Sequence, residues 1–347
     1  MSTQFSLSSV QTILLTGCAG FIGSNFVNKY VPLFPNIKFV NLDKLTYAAD
    51  LNNINFLPAN VNNLSDVIKT ANWDVQNKQT QHNYHFVQGD ITNKSFLEVL
   101  FEEHRFDAII HFAAESHVDL SIKNPALFVE TNVMGTQHLL ELARQFHIQR
   151  FHHVSTDEVY GELPTENPDV KFTEQTHIAP NSPYSASKAG SDLLVRAYHE
   201  TFKLDTVITR CSNNYGPYQD KTKLIPKFID NLINGKKVPL YAAGQNVRDW
   251  LFVEDHCDAI WEVFTRSAAG EVYNIGGNNE KTNLEITHKL IELTGRDETA
   301  IEYVADRPGH DLRYAIDASK IKRDLGWEPK YTFETGMRKT FDFYKGC

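Results

Sequence analysis

The sequence predicts an α/β fold: a doubly wound parallel sheet with helices on both faces, followed by a smaller C-terminal lobe. Three observations carry that prediction. Six short apolar runs alternate with stretches of helical periodicity over the first 212 residues. A glycine-spaced turn follows the first run directly. The alternation then breaks at "NNYGPYQDKTKLIP" (213–226), where turn residues replace it.

The runs are "TILLTG" (12–17), "IKFVNLD" (37–43), "YHFVQGD" (84–90), "DAIIHFAA" (107–114), "RFHHVST" (150–156) and "TVITRCS" (206–212). Strand–helix repetition of this kind makes a parallel sheet, whose ligands sit beyond the carboxyl ends of the strands. Residues 52–83 interrupt the rhythm with a run rich in Asn and Gln, read as a surface excursion with one short helix over 61–70. The expected division places 1–212, with 242–276 returning, in a dinucleotide-binding domain. Residues 213–241 and 277–347 form the lobe.

Composition narrows the class. The 347 residues are 41% hydrophobic and 22% charged, and no segment has the apolar length of a bilayer span. The first ten residues lack a signal peptide's basic start and apolar stretch, so the expectation is a cytoplasmic enzyme. A net charge of −9 argues against a general nucleic-acid surface. Four cysteines and 14 dispersed histidines show no metal-ligand spacing, so no metal is expected. His152 and His153 read as a packing or surface pair.

"TGCAGFIGSNFV" places Gly17, Gly20 and Gly23 in a G-x-x-G-x-x-G spacing between a strand and a helix. Such glycines permit a tight turn and close backbone approach, so the helix amides can receive a pyrophosphate. Asp43 ends the next strand about twenty residues further on, the place of a ribose-binding acid. A carboxylate there accepts from a 2′-hydroxyl and repels a 2′-phosphate, which favours NAD over NADP. The sheet is therefore expected to be Rossmann-type.

These features, with "GDI" (89–91) and "HFAAESH" (111–117), resemble the extended short-chain dehydrogenase/reductases. The resemblance implies cofactor contacts at Phe21 and Ile22, at Lys44, Leu45 and Thr46 beside Asp43, and at Asp90 and Ile91. It adds Phe112, Ala113, Ala114, Ser116, Thr131 and Asn214. Cys18 stands where most relatives carry another glycine.

"PYSASKAG" puts Tyr184 and Lys188 at i and i+4 on one helix face. An ammonium one turn away, with a cationic nicotinamide nearby, stabilises a phenolate that can take a proton from a sugar hydroxyl. Alone the pair could be a partly exposed Tyr and Lys on an amphipathic helix. "VSTDEVYG" (154–161) adds two hydroxyls and two adjacent acids. A dehydrogenase or 4-epimerase has no evident use for Asp157 and Glu158, whereas an elimination needs one ionised and one protonated carboxyl. Without the rest, the pair would read as a solvated turn or helix cap.

"STDEVYG", "TRCSNNYGPYQ", "NVRDWLFVEDH", "GEVYNIGGNNEKTN", "YVADRPGHD" and "LGWEPKYTFETG" together resemble the nucleotide-sugar 4,6-dehydratases over nearly the whole chain. That resemblance implies that Thr156 contacts the sugar 4-oxygen, Asp157 protonates the departing C6 hydroxyl and Glu158 removes the C5 proton. Tyr184 and Lys188 drive C4 oxidation, and NAD is recycled. The implied substrate contacts are Ser116, Asn213, Lys223, Leu224, Arg248, Asn283, Asp306, Arg307 and His310, with Pro239 to Tyr241 flanking the base. Lys223, Arg248 and Arg307 suit a diphosphate, Arg248 through a bidentate fork.

The implied substrate is dTDP-glucose, with UDP-glucose as rival; a 4-epimerase and a non-catalytic NAD-binding protein are the remaining readings. "QDKTKLIP" (219–226), "YAAG" (241–244) and Leu312 depart from the family pattern in the nucleotide-binding lobe. A homodimer through the helix near Asn132–Phe146 and the Tyr184 helix is a family expectation. One geometric expectation follows from strand alternation: the run must end near Ser155 or Thr156 and turn, or the two acids would face opposite ways.

Overall fold

The computed structural model describes residues 5–57, 83–305 and 311–346. The helix expected over 61–70 and the candidate residues Asp306, Arg307 and His310 lie outside the described residues.

All six predicted runs are strands: β1 (Thr12–Thr16), β2 (Lys38–Asp43), β3 (Tyr84–Gln88), β4 (Ala108–His111), β5 (Arg150–Thr156) and β6 (Thr206–Cys211). Six more follow: β7 (Asn213–Tyr215), β8 (Val238–Tyr241), β9 (Val247–Phe252), β10 (Val272–Ile275), β11 (Glu280–Thr282) and β12 (Ile301–Val304). The main sheet runs β10-β6-β5-β4-β1-β2-β3, and the pairs β1–β2, β1–β4, β2–β3 and β4–β5 are parallel. The doubly wound α/β expectation therefore holds. Strand order reverses between β1 and β4, and the crevice outside their carboxyl ends is where such sheets bind ligands.

The strands are mainly apolar because helices cover both faces, and the buried polar residues on them are the exceptions. Leu14, Val40, Leu42, Ile109 and Phe151 share one core with Leu97, Phe101, Leu139, Leu140 and Val195 from flanking helices. Each such side chain contributes roughly 1.5–3 kcal/mol on burial. His152 and His153 are fully buried, so of the two readings the packing one stands and the surface one falls. His152 shares a hydrogen bond with Thr209 Oγ1 at 3.1 Å and stacks on Phe264. Arg150 is buried without strain on solvation because Asp205 receives it bidentately at 2.9 and 3.0 Å.

The chain divides into two compact units: Met1–Ser155, Pro183–Thr209 and Ile260–Val272; and Thr156–Ser182, Arg210–Ala259 and Tyr273–Cys347. Segment 156–182, expected with the first domain, groups with the second unit. Leu163 N–H donates to the Arg313 carbonyl, Phe172 bridges Ile316, and Tyr160 Oη donates to Asn274 Oδ1 at 2.8 Å. The return to the first unit is correspondingly shorter than 242–276. Within the second unit β11-β9-β7 form one small sheet and β12–β8 a parallel pair. Tyr215, Phe228, Trp250, Phe252, Leu290, Phe333 and Met337 form its core.

Among the described residues no helix is long and apolar enough to cross a membrane, and no group of His, Cys, Asp or Glu is placed to hold a metal. Cys18, Cys211 and Cys257 are buried and stand outside any disulfide among the described residues.

Candidate active site

The glycine turn is built where β1 ends. Gly17 has φ +75°, and a Cβ there would lie 2.6 Å from the Ala113 Cα, so only glycine lets the loop after β4 approach. A Cβ on Gly23 would meet the Cys18 Cα at 2.5 Å, which ties Cys18 to the turn as packing rather than chemistry. Gly20 caps the helix Phe21–Leu33, whose first amides, from Phe21 to Gly23, face outward from the turn.

Asp43, 7% exposed, sits beside this turn. Its Oδ2 accepts from Ala19 N–H at 2.9 Å and its Oδ1 from Leu45 N–H at 2.8 Å. Burial raises its pKa, and the Leu45 and Ala19 amides draw it back down. Leu45 adopts the left-handed region (φ 57°), and Lys44 beside it forms a 2.7 Å ion pair with Asp90. Gly89 N–H donates to the Asp43 carbonyl, and Ile91 packs where a Cβ on Gly135 would be. The ends of β1 to β4 thus bring together Gly17, Gly20, Asp43, Lys44, Asp90, Ile91 and the 112–114 loop. Thr46, Ser116 and Thr131 are half-buried in the same unit. A tight glycine turn at the start of a helix, beside a carboxylate with lone pairs remaining on both oxygens, fits a dinucleotide's pyrophosphate and ribose.

Tyr184 and Lys188 lie near the start of the helix Pro183–Phe202 and are buried. The Lys188 Nζ donates to the Val154 carbonyl of β5 at 2.9 Å and lies 3.5 Å from His153 Nε2. Asp192, one turn further on, places Oδ1 3.4 Å from that same nitrogen. The ammonium is therefore fixed at the end of β5, and the exposed-helix reading of the pair is overturned by burial.

β5 ends at Thr156, and Asp157–Tyr160 form a 3-10 turn. The strand stops where alternation required. Thr156 caps the turn by accepting from Glu158 N–H at 3.3 Å, and its hydroxyl donates to Asp157 Oδ1 at 3.4 Å. Asp157 is 1% exposed, whereas Glu158 is half-buried. Burial pushes the Asp157 carboxyl well above its ordinary pKa; the Glu158 and Asp249 carboxylates raise it further, and Arg248 opposes them. The fold therefore favours the protonated form of Asp157.

Arg248, 7% exposed on β9, is less free than expected. Its Nη1 donates to the Val247 and Leu312 carbonyls at 2.7 and 3.2 Å, and its Nη2 to the Asp311 carbonyl at 2.8 Å. The guanidinium lies 4.3 Å from the Tyr314 ring centroid. One Nη2 hydrogen and Nε–H remain for a ligand. Asn213 and Asn214 occupy β7, Lys223 and Leu224 begin the helix Leu224–Ile233, and Asn283 begins the helix Asn283–Thr294. Pro239 is half-buried and Tyr241 exposed on β8, as a stacking platform requires.

The profile of the family described as GDP-mannose 4,6 dehydratase matches residues 14–340. The dTDP-glucose 4,6-dehydratase of Xanthomonas campestris is 48% identical over 96% of this chain and 93% of its own length. The Salmonella typhimurium enzyme of that name is also 48% identical, over 96% of this chain and 92% of its own. The chain belongs to the dTDP-glucose 4,6-dehydratase family. Among solved members, that of Bacillus anthracis in complex with NAD is 46% identical, covers 97% of each chain and superposes with TM-score 0.83. That of Streptomyces venezuelae with NAD and TYD bound is 44% identical with TM-score 0.85, again over 97% of each chain. The UDP-glucose 4-epimerase of Thermus thermophilus reaches the same TM-score, 0.83, at 28% identity. Backbone alone therefore does not separate dehydratase from epimerase.

Several residues escaped sequence reasoning in this family member. Asn132 brackets the loop after β4: its Oδ1 accepts from Glu115 N–H at 2.8 Å and its Nδ2 donates to the Glu115 carbonyl at 3.0 Å. The same Nδ2 lies 2.8 Å from Ser187 Oγ, which donates to the Tyr184 carbonyl at 2.7 Å. Asn132 sits in a π-helical turn, Val129–Gly135. An Asn within an apolar helix, three residues before Gly135, was the available signal. Asp249 was hidden inside a strand; it accepts from Gly277 and Asn279 N–H at 2.8 and 2.6 Å.

Proposed function

We propose that the chain is an NAD-dependent dTDP-glucose 4,6-dehydratase, a lyase forming dTDP-4-keto-6-deoxyglucose. The observation that carries this reading is the acid turn: a buried Asp157, whose surroundings favour its protonated form, beside the half-buried Glu158. Elimination requires that division of labour and epimerisation does not.

Gly17 to Gly23 and Asp43 would hold the dinucleotide, which supplies an acceptor for the C4 hydride and later returns that hydride to C6. Tyr184 takes the proton of the C4 hydroxyl, and Lys188, anchored on the Val154 carbonyl, stabilises its phenolate. Thr156 orients the 4-oxygen. The resulting ketone acidifies C5–H, and Glu158 removes that proton. Asp157 donates its own proton to the C6 hydroxyl, which leaves as water. Glu158 gives the proton it took back to C5 as C6 regains the hydride, and the proton held by Tyr184 restores the acid. Proton transfer by a positioned group contributes typically ~10²–10⁴-fold. Arg248 and Lys223 offset the diphosphate charge, with Asn213, Asn283 and Tyr241 toward the nucleoside. The same reading includes a cytoplasmic homodimer, supported by family resemblance alone.

The test is product analysis with purified protein given dTDP-glucose or UDP-glucose, reading mass and proton NMR. Loss of one water with a new C6 methyl group, and a higher kcat/KM for dTDP-glucose, is expected. C4 inversion without water loss would mean an epimerase, and a preference for UDP-glucose would reassign the base.

A further inference from the structure

Asn214 has a side-chain amide of fixed polarity, and the group that fixes it lies on another element. Its Nδ2 donates to the Ser212 carbonyl at 2.9 Å, so Oδ1 is the atom that faces His256 Nδ1, also at 2.9 Å. An amide oxygen only accepts, which places the imidazole proton on Nδ1. His256 is fully buried in the first turn of the helix Val253–Arg266, and burial lowers its pKa to about 3. The ring is thus neutral, and with Nδ1 protonated its Nε2 keeps a bare lone pair. That Nε2 is buried and has no hydrogen-bond partner. A leucine or phenylalanine would avoid leaving this nitrogen unpaired. The one thing the histidine adds is a hydrogen bond to Asn214 from Nδ1.

We propose that His256 is a positioning residue for the cofactor contact at Asn214: its Nδ1–H locks the amide so that the remaining Nδ2 hydrogen and Oδ1 lone pair stay in one orientation. The inference rests on the reading of Asn214 as an NAD contact. The backbone of Asn214 is held separately, by its place on β7 beside Leu251 and by Gln219 Nε2 donating to its carbonyl at 2.9 Å. Losing His256 therefore frees the amide to rotate without releasing the strand. The binding-competent orientation then becomes one of several, and affinity falls by the fraction of time it is occupied.

The experiment is a double-mutant cycle on NAD affinity, measured by calorimetry on the full chain stripped of nucleotide, with thermal midpoints recorded for every variant. In His256→Asn the new Nδ2 falls near the position of the imidazole Nδ1, whereas His256→Gln places its amide near Nε2 and His256→Phe supplies no donor. His256→Phe and His256→Gln are expected to weaken NAD binding roughly tenfold, the worth of one hydrogen bond, and His256→Asn to stay within about threefold of the parent. In an Asn214→Ala background, His256→Phe should cost no further affinity although it still lowers the thermal midpoint. A purely structural role would move the midpoints and leave the NAD affinities of the three His256 variants alike, which overturns the proposal. So does a His256→Phe penalty that persists undiminished in Asn214→Ala. If His256→Phe does not fold, the contrast between Asn and Gln at 256 decides alone. Should Asn214→Ala itself bind NAD as the parent does while the protein still turns over, the cofactor contact at Asn214 falls and the dehydratase reading survives.

Discussion

Two aspartates stand at the ends of two strands, and their surroundings give them opposite chemistry. Asp43 ends β2 with a backbone N–H on each carboxylate oxygen, from Ala19 and Leu45. Asp157 follows β5 with the Thr156 hydroxyl on Oδ1 at 3.4 Å and no hydrogen-bond partner on Oδ2. Both are buried, so desolvation raises both. Backbone donors oppose that rise at Asp43, whereas the Glu158 and Asp249 carboxylates add to it at Asp157. The same side chain is thus held as a hydrogen-bond acceptor in one place and biased toward its protonated form in the other, according to which neighbours the local turn supplies.

The largest test of this contrast is Asp157→Asn. The amide keeps the shape and loses the proton to give, so product formation should fall ~10²–10⁴-fold while C4 oxidation continues. Rapid mixing should then show reduced nicotinamide accumulating on the protein before any 6-deoxy product. Parent-like turnover in this variant would end the assignment of Asp157 as the acid.

Asp43→Asn probes the other member. A neutral amide cannot accept from both the Ala19 and Leu45 N–H groups, and the charge that excludes a 2′-phosphate is gone. Charge-assisted hydrogen bonds are worth about 1.5–3 kcal/mol each, so NAD affinity should drop at least ~10-fold. The ratio of NADP to NAD affinity should rise. Titrating both nucleotides against the variant checks this, and an unchanged ratio would separate Asp43 from cofactor choice.

The third test moves the proton without touching the acid. Arg248 lowers the Asp157 pKa, and in the mechanism proposed above the protonated form of Asp157 is the active one. Activity must therefore decline as pH rises through that pKa. Replacing Arg248 with Met removes the opposing cation, so the alkaline limb of kcat should shift to higher pH while KM rises. A limb that stays in place would mean another group sets it.

How far the sequence carried this site depends on the kind of signal. Periodicity and β-branched runs placed six strands to within three residues at each end, because strands covered on both faces are mainly apolar. Spacing singled out Gly17, Asp43, Tyr184 and Lys188 as candidates, since the chemistry proposed for them fixes those intervals locally. The turn after Thr156 followed from alternation alone. What could not be read is pairing across long separations. Asn132 with Glu115, Asp249 with the 277–279 amides, and Arg248 with the 311–312 carbonyls are contacts made only by folding. Arg248 read as an open fork because a sequence shows a residue's donors without showing which carbonyls have taken them.

The smallest expected effect is on stability, and it separates the buried acid from a buried base. Asp157 keeps a proton in the fold that the unfolded chain loses above about pH 4. The folded state therefore loses ground as pH rises from there toward the folded pKa. His256 has the opposite sign: it titrates at about 3 in the fold and near 6.5 when unfolded, so stability is lost as pH falls through that window. Asp157→Asn should then be more stable than the parent at pH 7 and differ less from it at pH 4, where both side chains are largely neutral. His256→Asn should lower stability at pH 7 through lost packing yet lose less than the parent between pH 7 and pH 4. Urea unfolding of parent and variants at both pH values measures the two slopes. Equal pH dependence in parent and Asp157→Asn would mean that Asp157 is ionised in the fold. The acid turn would then hold two carboxylates and no proton donor.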